Sequence, residues 1–145
     1  RVMNNYVQVL VGLVVFYFGL KMFAQGMKSM AVPDHLNYWL GHPLWMFVGG
    51  ILLTILWQSS SLSTTAIVAL VASNVVPLPA AVAFILGANI GTSATAHVAA
   101  VMVSNGYPSG DALRIAVVHT AVNCLMAASL LPFAHHIARL VSKIG

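Results

Sequence analysis

Trp57-Gln58-Ser59-Ser60-Ser61 is the stretch on which the fold turns. Four consecutive polar side chains interrupt two apolar runs, residues 44–57 and 62–76. Helices over these runs reach about 21–23 Å at about 1.5 Å per residue, against about 30 Å of hydrocarbon in a bilayer. Neither run crosses comfortably alone. The economical solution over residues 44–76 is a re-entrant hairpin: one half-helix in, a turn at the Gln-Ser-Ser-Ser tip, and a second half-helix out. Irregular backbone at membrane depth is tolerated only where it is buried in protein or lines a wet cavity. A polar tip at that depth therefore marks a binding site.

The composition requires a membrane. Of 145 residues, 60% are hydrophobic and only 6% are charged, where soluble domains carry about 25% charged residues. The only acids, Asp34 and Asp111, fall in expected connections. The net charge of +4 suits contact with anionic headgroups. No basic cluster or arginine–aromatic interleaving points to nucleic acid. The single cysteine, Cys124, excludes an internal disulfide and reads as a small buried residue. The first apolar segment is too long for a signal peptide and lacks a small-residue cleavage site.

Outward from the hairpin, residues 6–27 predict a first spanning helix, with Lys21 snorkelling to the interface. Gly12, Gly19 and Gly26 recur on one side of it and would permit close helix packing. Residues 31–43 are polar and broken. Leu36, Tyr38, Trp39 and Leu40 suggest a short interfacial helix capped by Asp34, with His35 and His42 solvated. Residues 79–103 are long enough to span, but their centre, Gly87-Ala88-Asn89-Ile90-Gly91-Thr92-Ser93, predicts an unwound segment between half-helices 79–86 and 94–103. Residues 104–111 read as a turn-rich connection. Residues 112–133 form the last span, where His119 and Asn123 share a face. Residues 134–145 carry His135, His136, Arg139 and Lys143 and should leave the membrane.

That makes three full crossings, so the two ends lie on opposite sides. Arg1 and Arg114 mark one side. Lys28, Arg139 and Lys143 mark the other, which the positive-inside rule weakly favours as cytoplasmic.

The hairpin tip offers a specific chemistry. A helix beginning at Leu62 has free N–H groups and a partial positive end, and Ser59, Ser60 and Ser61 add hydroxyl donors. This is an anion seat built without a basic side chain. The half-helix ending near Trp57 presents carbonyls that suit a cation. In the 87–93 segment, Asn89, Thr92 and Ser93 supply neutral oxygens. No carboxylate lies in an apolar segment, so coupling to sodium, a hard cation served by neutral oxygens, is favoured over a proton relay. His97 and His119 are the only intramembrane titratable candidates, and both read as packed or hydrogen-bonding groups. No His, Cys and acid spacing suggests a transition metal. Ser93 and His97 are four apart, which raises an intramembrane hydrolase. No Gly-x-Ser-x-Gly elbow accompanies them, and enzymatic chemistry is not expected.

At these residues the chain resembles the sodium/phosphate cotransporter family, the type II kind and its bacterial relatives. The shared signatures are Gln58-Ser59-Ser60-Ser61 and Gly87-Ala88-Asn89-Ile90-Gly91-Thr92. Phe18-Gly19-Leu20-Lys21-Met22, Gly26-Met27, and His119 with Asn123 add to them. The resemblance implies a sodium-coupled carrier for inorganic phosphate, not an enzyme, with Na+ as coupling ion and no other cofactor. It implies that Gln58, Ser59, Ser60, Ser61, Asn89 and Thr92 hold phosphate. It implies that Gln58, Ser60, Ser63, Thr64, Asn89 and Thr92 serve sodium.

Family transporters hold two inverted repeats in one chain, and residues 1–145 hold one. Two arrangements stay open: half of a longer protein, or a half-size protein that pairs, the weak charge bias suiting an antiparallel homodimer. The expectation is thus an all-α integral membrane protein with three spanning helices, one of them broken, plus a re-entrant helical hairpin. It is one half of an inverted-repeat transporter, placed in a bacterial-type inner membrane. A carrier of another small anion, or a non-transporting membrane subunit or scaffold, is the alternative.

Overall fold

The computed structural model describes residues 4–29, 34–103 and 110–144, and these are helical apart from short turns. The chain runs α1 (Asn5–Ser29), α2 (Asp34–Gly41), α3 (Pro43–Trp57), α4 (Ser60–Ala72), α5 (Leu78–Val103) and α6 (Asp111–Leu130). A 3-10 turn (Leu131–Phe133) then leads to α7 (Ala134–Val141). Of the turn expected over residues 104–111, residues 104–109 lie outside the described residues, as do Arg1 and Pro33, and Asp111 already begins α6.

α1, α5 and the run from α6 through α7, Asp111–Val141, are long and apolar enough to cross a membrane, so the third run extends past the end expected at residue 133. α3 and α4, of 15 and 13 residues, reach only about 20–22 Å each. α2 is the expected short helix. It meets α3 at an angle of 84°, and His42 sits in the bend. His42 is not simply solvated: its Nδ1 accepts the Leu44 N–H at 3.3 Å, capping α3 in front of Pro43.

α5 is the axis of the molecule. α3 lies along it in parallel, Phe47 beside Gly87, Ile51 and Thr54 beside Gly91, and Gln58 beside Thr95. α4 turns back: Ile67, Val71 and Ala72 face Leu78, Ala81 and Ile85 at the beginning of α5. α3 and α4 are therefore a helical hairpin. Its open end lies near the start of α5, where Met46, Ile67, Val76, Ala80, Ala81 and Phe84 form the core. Its tip lies beside Thr95, 17 residues into α5, or about 26 Å along a helix about 39 Å long. α6 runs back along α5, with Ala112 and Ala116 near Ala96 and Ala100, and Asn123 near Asn89.

The sequence suggested a broken helix over residues 87–93. Instead α5 is continuous from Leu78 to Val103. The glycines serve packing rather than unwinding. A methyl group at Gly87 would overlap the carbonyl oxygen of Phe47, and one at Gly91 would lie 2.7 Å from the Ile51 carbonyl oxygen and 2.8 Å from Thr54 Cβ. Gly50 of α3 reciprocates against the Phe84 carbonyl. Backbones this close gain dispersion contacts, which apolar lipid cannot supply through a hydrophobic effect.

Two smaller expectations also change. Gly12, Gly19 and Gly26 of α1 have open space around them, and no residue of α1's apolar span is buried. α1 touches α4 across an apolar cleft of about 280 Å³ between Phe16, Leu20 and Phe23 on one side and Trp57, Leu62 and Ala66 on the other. Cys124 is exposed on the outward face of α6 rather than buried, because α6 turns its small residues Ala116 and Ala127 inward instead.

One buried polar contact ties the hairpin together. Thr54 Oγ1 donates to Ser63 Oγ at 2.8 Å, and Ser63 Oγ donates to the Ser59 carbonyl at 3.1 Å. Thr54 and Ser63 are 1% and 0% exposed. Thr54→Val keeps the shape and removes the donor. It should lower stability by about 1 kcal/mol, the usual scale for such bonds in membrane helices, read from the denaturation midpoint in mixed detergent micelles.

Candidate functional site

The hairpin tip is built by two opposed helix ends. α3 stops because Gln58 adopts a left-handed conformation, φ 52°, which costs a side-chain-bearing residue about 1–2 kcal/mol. The Gln58 side chain offsets part of that cost. Its Nε2 donates to the Ile55 carbonyl at 2.8 Å, satisfying one of the last carbonyls of α3. Its Oε1 accepts from Thr95 Oγ1 of α5 at 3.3 Å. Gln58 thus bridges the end of α3 to α5, three residues past the second signature.

α4 begins two residues earlier than expected, at Ser60 rather than Leu62. Ser59 is its N-cap, extended at φ −149°, with Oγ accepting the Leu62 N–H at 3.2 Å. The Ser63 N–H is taken by the Ser59 carbonyl. The first-turn N–H groups of Ser60 and Ser61 remain for a ligand, at the positive end of α4. The hydroxyls of Ser60, Ser61 and Thr64 make no hydrogen bond within the described residues. Ser59 and Ser60 are half-buried, while Gln58, Ser61 and Thr95 are exposed.

The remaining expected site residues divide. Ser63 is fully buried, and its hydroxyl is engaged with Thr54 and Ser59. Thr92 Oγ1 donates to the Ala88 carbonyl one turn back at 2.9 Å, as threonines in helices commonly do. Asn89 is half-buried, and its backbone carbonyl accepts from Asn123 Nδ2 of α6 at 2.9 Å. Asn123 therefore makes the cross-helix bond its position suggested, and fixes α6 to α5 at the second signature. Asn89 and Thr92 lie on α5 within two turns of Thr95, the partner of Gln58.

Thr95 and Thr54 belong to this site and were passed over in the sequence. Thr54 looked like one polar residue in an apolar run. Thr95 looked like the start of a half-helix. The available signal was spacing. Thr95 stands one turn past Gly91, and Thr54 one turn before Gln58, so both fall at the level of the tip once α3 and α5 are parallel.

The arrangement excludes some chemistry. His97 Nδ1 lies 3.0 Å from the Ser93 carbonyl, and the Ser93 hydroxyl donates to the Ile90 carbonyl at 2.6 Å. The serine and histidine that suggested a hydrolase are thus not paired as nucleophile and base. Among the described residues, no cluster of His, Cys, Asp or Glu could hold a metal ion. The tip offers amide N–H groups, hydroxyls and carbonyls, a donor set for an anion and a hard cation side by side.

Residues 5–142 match the model of the Na+/Pi-cotransporter family. The chain is 39% identical over 117 residues to the sheep (Ovis aries) sodium-dependent phosphate transport protein 2A, a match covering 72% of this chain and 18% of that protein. It is 38% identical over 108 residues to the human (Homo sapiens) sodium-dependent phosphate transport protein 2B, covering 72% and 16%. The bovine (Bos taurus) 2B protein is 42% identical over 102 residues, covering 66% and 14%. The chain thus spans less than a fifth of the length of these relatives. No solved structure matches. From its two signatures and a match over nearly its whole length, this chain belongs to the Na+/Pi-cotransporter family.

Proposed function

We propose that the chain is one repeat of a sodium-coupled carrier of inorganic phosphate. The observation that carries this is the Gln58 turn. It places the free first-turn N–H groups of α4, and the hydroxyls of Ser60 and Ser61, next to the end of α3 and against α5. Phosphate binds at the α4 end through Ser59, Ser60 and Ser61. Sodium takes the neutral oxygens of Gln58, Ser60, Thr64, Asn89 and Thr92, and Ser63 acts by holding the turn. The cation offsets the repulsion and desolvation that an anion meets in a low-dielectric site, which couples the two. The relatives' names, sodium-dependent phosphate transport proteins, agree with this reading.

In this reading the hairpin is re-entrant. α3 and α4 are each too short to cross, and both open towards the start of α5. The exposed edge formed by Gln58, Ser61 and Thr95 faces a second repeat, inverted in the membrane, from another copy of this chain or from further along a longer one. α1, with no buried residue in its span, contributes to the same contact.

Equilibrium dialysis of radiolabelled phosphate against the purified chain tests the reading. Binding should appear in sodium, vanish when potassium replaces it, and resist an excess of sulfate. Sulfate competing on equal terms would reassign the substrate, and binding indifferent to sodium would remove the coupling. Thr95→Val, which releases Gln58 Oε1, should weaken sodium-dependent binding about five-fold, the worth of one neutral hydrogen bond.

A further inference from the structure

A second polar feature lies far from the hairpin tip. After α6, the 3-10 turn containing Pro132 leads into α7, which continues the same apolar run, Asp111–Val141, and packs beside the beginning of α5. α7 has three faces. Ala134 and Ala138, one turn apart, are buried. Phe133, Leu140 and Ile144 are 56%, 65% and 83% exposed and form an apolar stripe. His135, Arg139 and Ser142, at i, i+4 and i+7, line a cleft of about 280 Å³ closed on its other side by Leu78 and Pro79. Lys143 follows next to this stripe.

Arg139 has no carboxylate partner among the described residues. The one salt bridge they form is Arg114 to Asp111 at 3.0 Å, at the other end of α6. The run Asp111–Val141 is 31 residues long, more than the about 20 that cross the hydrocarbon, so its α7 end reaches the membrane interface. There its exposed apolar stripe can meet acyl chains while the basic stripe and its cleft stand at headgroup level. A guanidinium there meets phosphate esters at high local concentration, and its planar fork matches two phosphate oxygens.

We propose that this cleft binds the phosphate group of an anionic phospholipid, held by Arg139 with His135 beside it. The ligand chemistry is a phosphate oxyanion, and the apolar stripe flanking the cleft selects the lipid-borne form over free phosphate. The site stands on the side of the membrane where the hairpin opens. It is independent of the hairpin tip, so the transport reading does not depend on it.

The test is lipid retention by the full chain in mixed nanodiscs of phosphatidylglycerol and phosphatidylcholine, measured by native mass spectrometry. Phosphatidylglycerol should be retained preferentially, Arg139→Gln should lower that retention about five-fold, and Arg139→Lys should keep most of it. Arg114→Gln, at the opposite end of α6, should have no effect. Excess inorganic phosphate should not displace the lipid. Equal retention by wild type and Arg139→Gln, or equal retention of both lipids, would overturn the proposal. Displacement by inorganic phosphate would overturn the lipid assignment and give the cleft to the free ion.

Discussion

Gly50→Ala lowers the stability of the folded chain by about 3 kcal/mol, while Gly49→Ala next to it changes stability by less than about 1 kcal/mol. Both glycines are in the interior of α3, so helix propensity alone favours alanine at each, by about 1 kcal/mol. What differs is the neighbour. Gly50 faces the carbonyl oxygen of Phe84 and the amide of Ala88, both backbone atoms of α5, whereas Gly49 faces open space. A side chain in the way could rotate, but backbone cannot. α3 and α5 must separate to admit the methyl, and the loss spreads over every contact between them. Gly87→Ala, which meets the Phe47 carbonyl from the other helix, should behave like Gly50→Ala. Denaturant titration in mixed micelles, followed by circular dichroism, distinguishes the pair. Equal effects at Gly49 and Gly50 would mean that α3 and α5 are not in this register.

Gln58→Asn abolishes most sodium-dependent phosphate binding, by about thirty-fold or more, and leaves helix content unchanged. Asparagine tolerates the left-handed conformation at this position, so the turn between α3 and α4 is preserved. Its side chain is one methylene shorter. The amide can no longer reach both the Ile55 carbonyl and the Thr95 hydroxyl. Losing a polar contact to a charged ligand costs about 1.5–3 kcal/mol, and about 2 kcal/mol corresponds to the thirty-fold change. Dialysis with labelled phosphate reads the loss. A variant that binds like wild type would show that Gln58 only shapes the turn.

The hairpin was legible in the sequence because polarity marks it locally. Gln58, Ser59, Ser60 and Ser61 stand between two runs too short to span, and the chain does turn there. The spans of α1, α5 and α6 were legible for the same reason, as length and hydropathy are local quantities. The state of residues 87–93 was not. Two glycines with small polar neighbours describe an unwound segment and a close helix contact equally well. The difference is made by Gly50 and the Phe47 and Ile51 carbonyls, about 40 residues away in the chain. The Gly49-Gly50 pair in α3 was the missing half of the pattern.

The site was legible in part. Ser59 and Ser60 carried their own signal as residues at a helix start. Thr54 and Thr95 did not, because their roles come from what lies opposite: Ser63 across the turn and Gln58 across the α3–α5 interface.

Uptake of radiolabelled phosphate by proteoliposomes of the purified chain tests the central claim most directly. With an inward sodium gradient, phosphate should accumulate above its equilibrium level, and it should fail to do so when potassium replaces sodium or when Gln58 is replaced by asparagine. Accumulation that is equal in sodium and potassium, or that Gln58→Asn leaves intact, would contradict a sodium-coupled carrier centred on the α3–α4 turn.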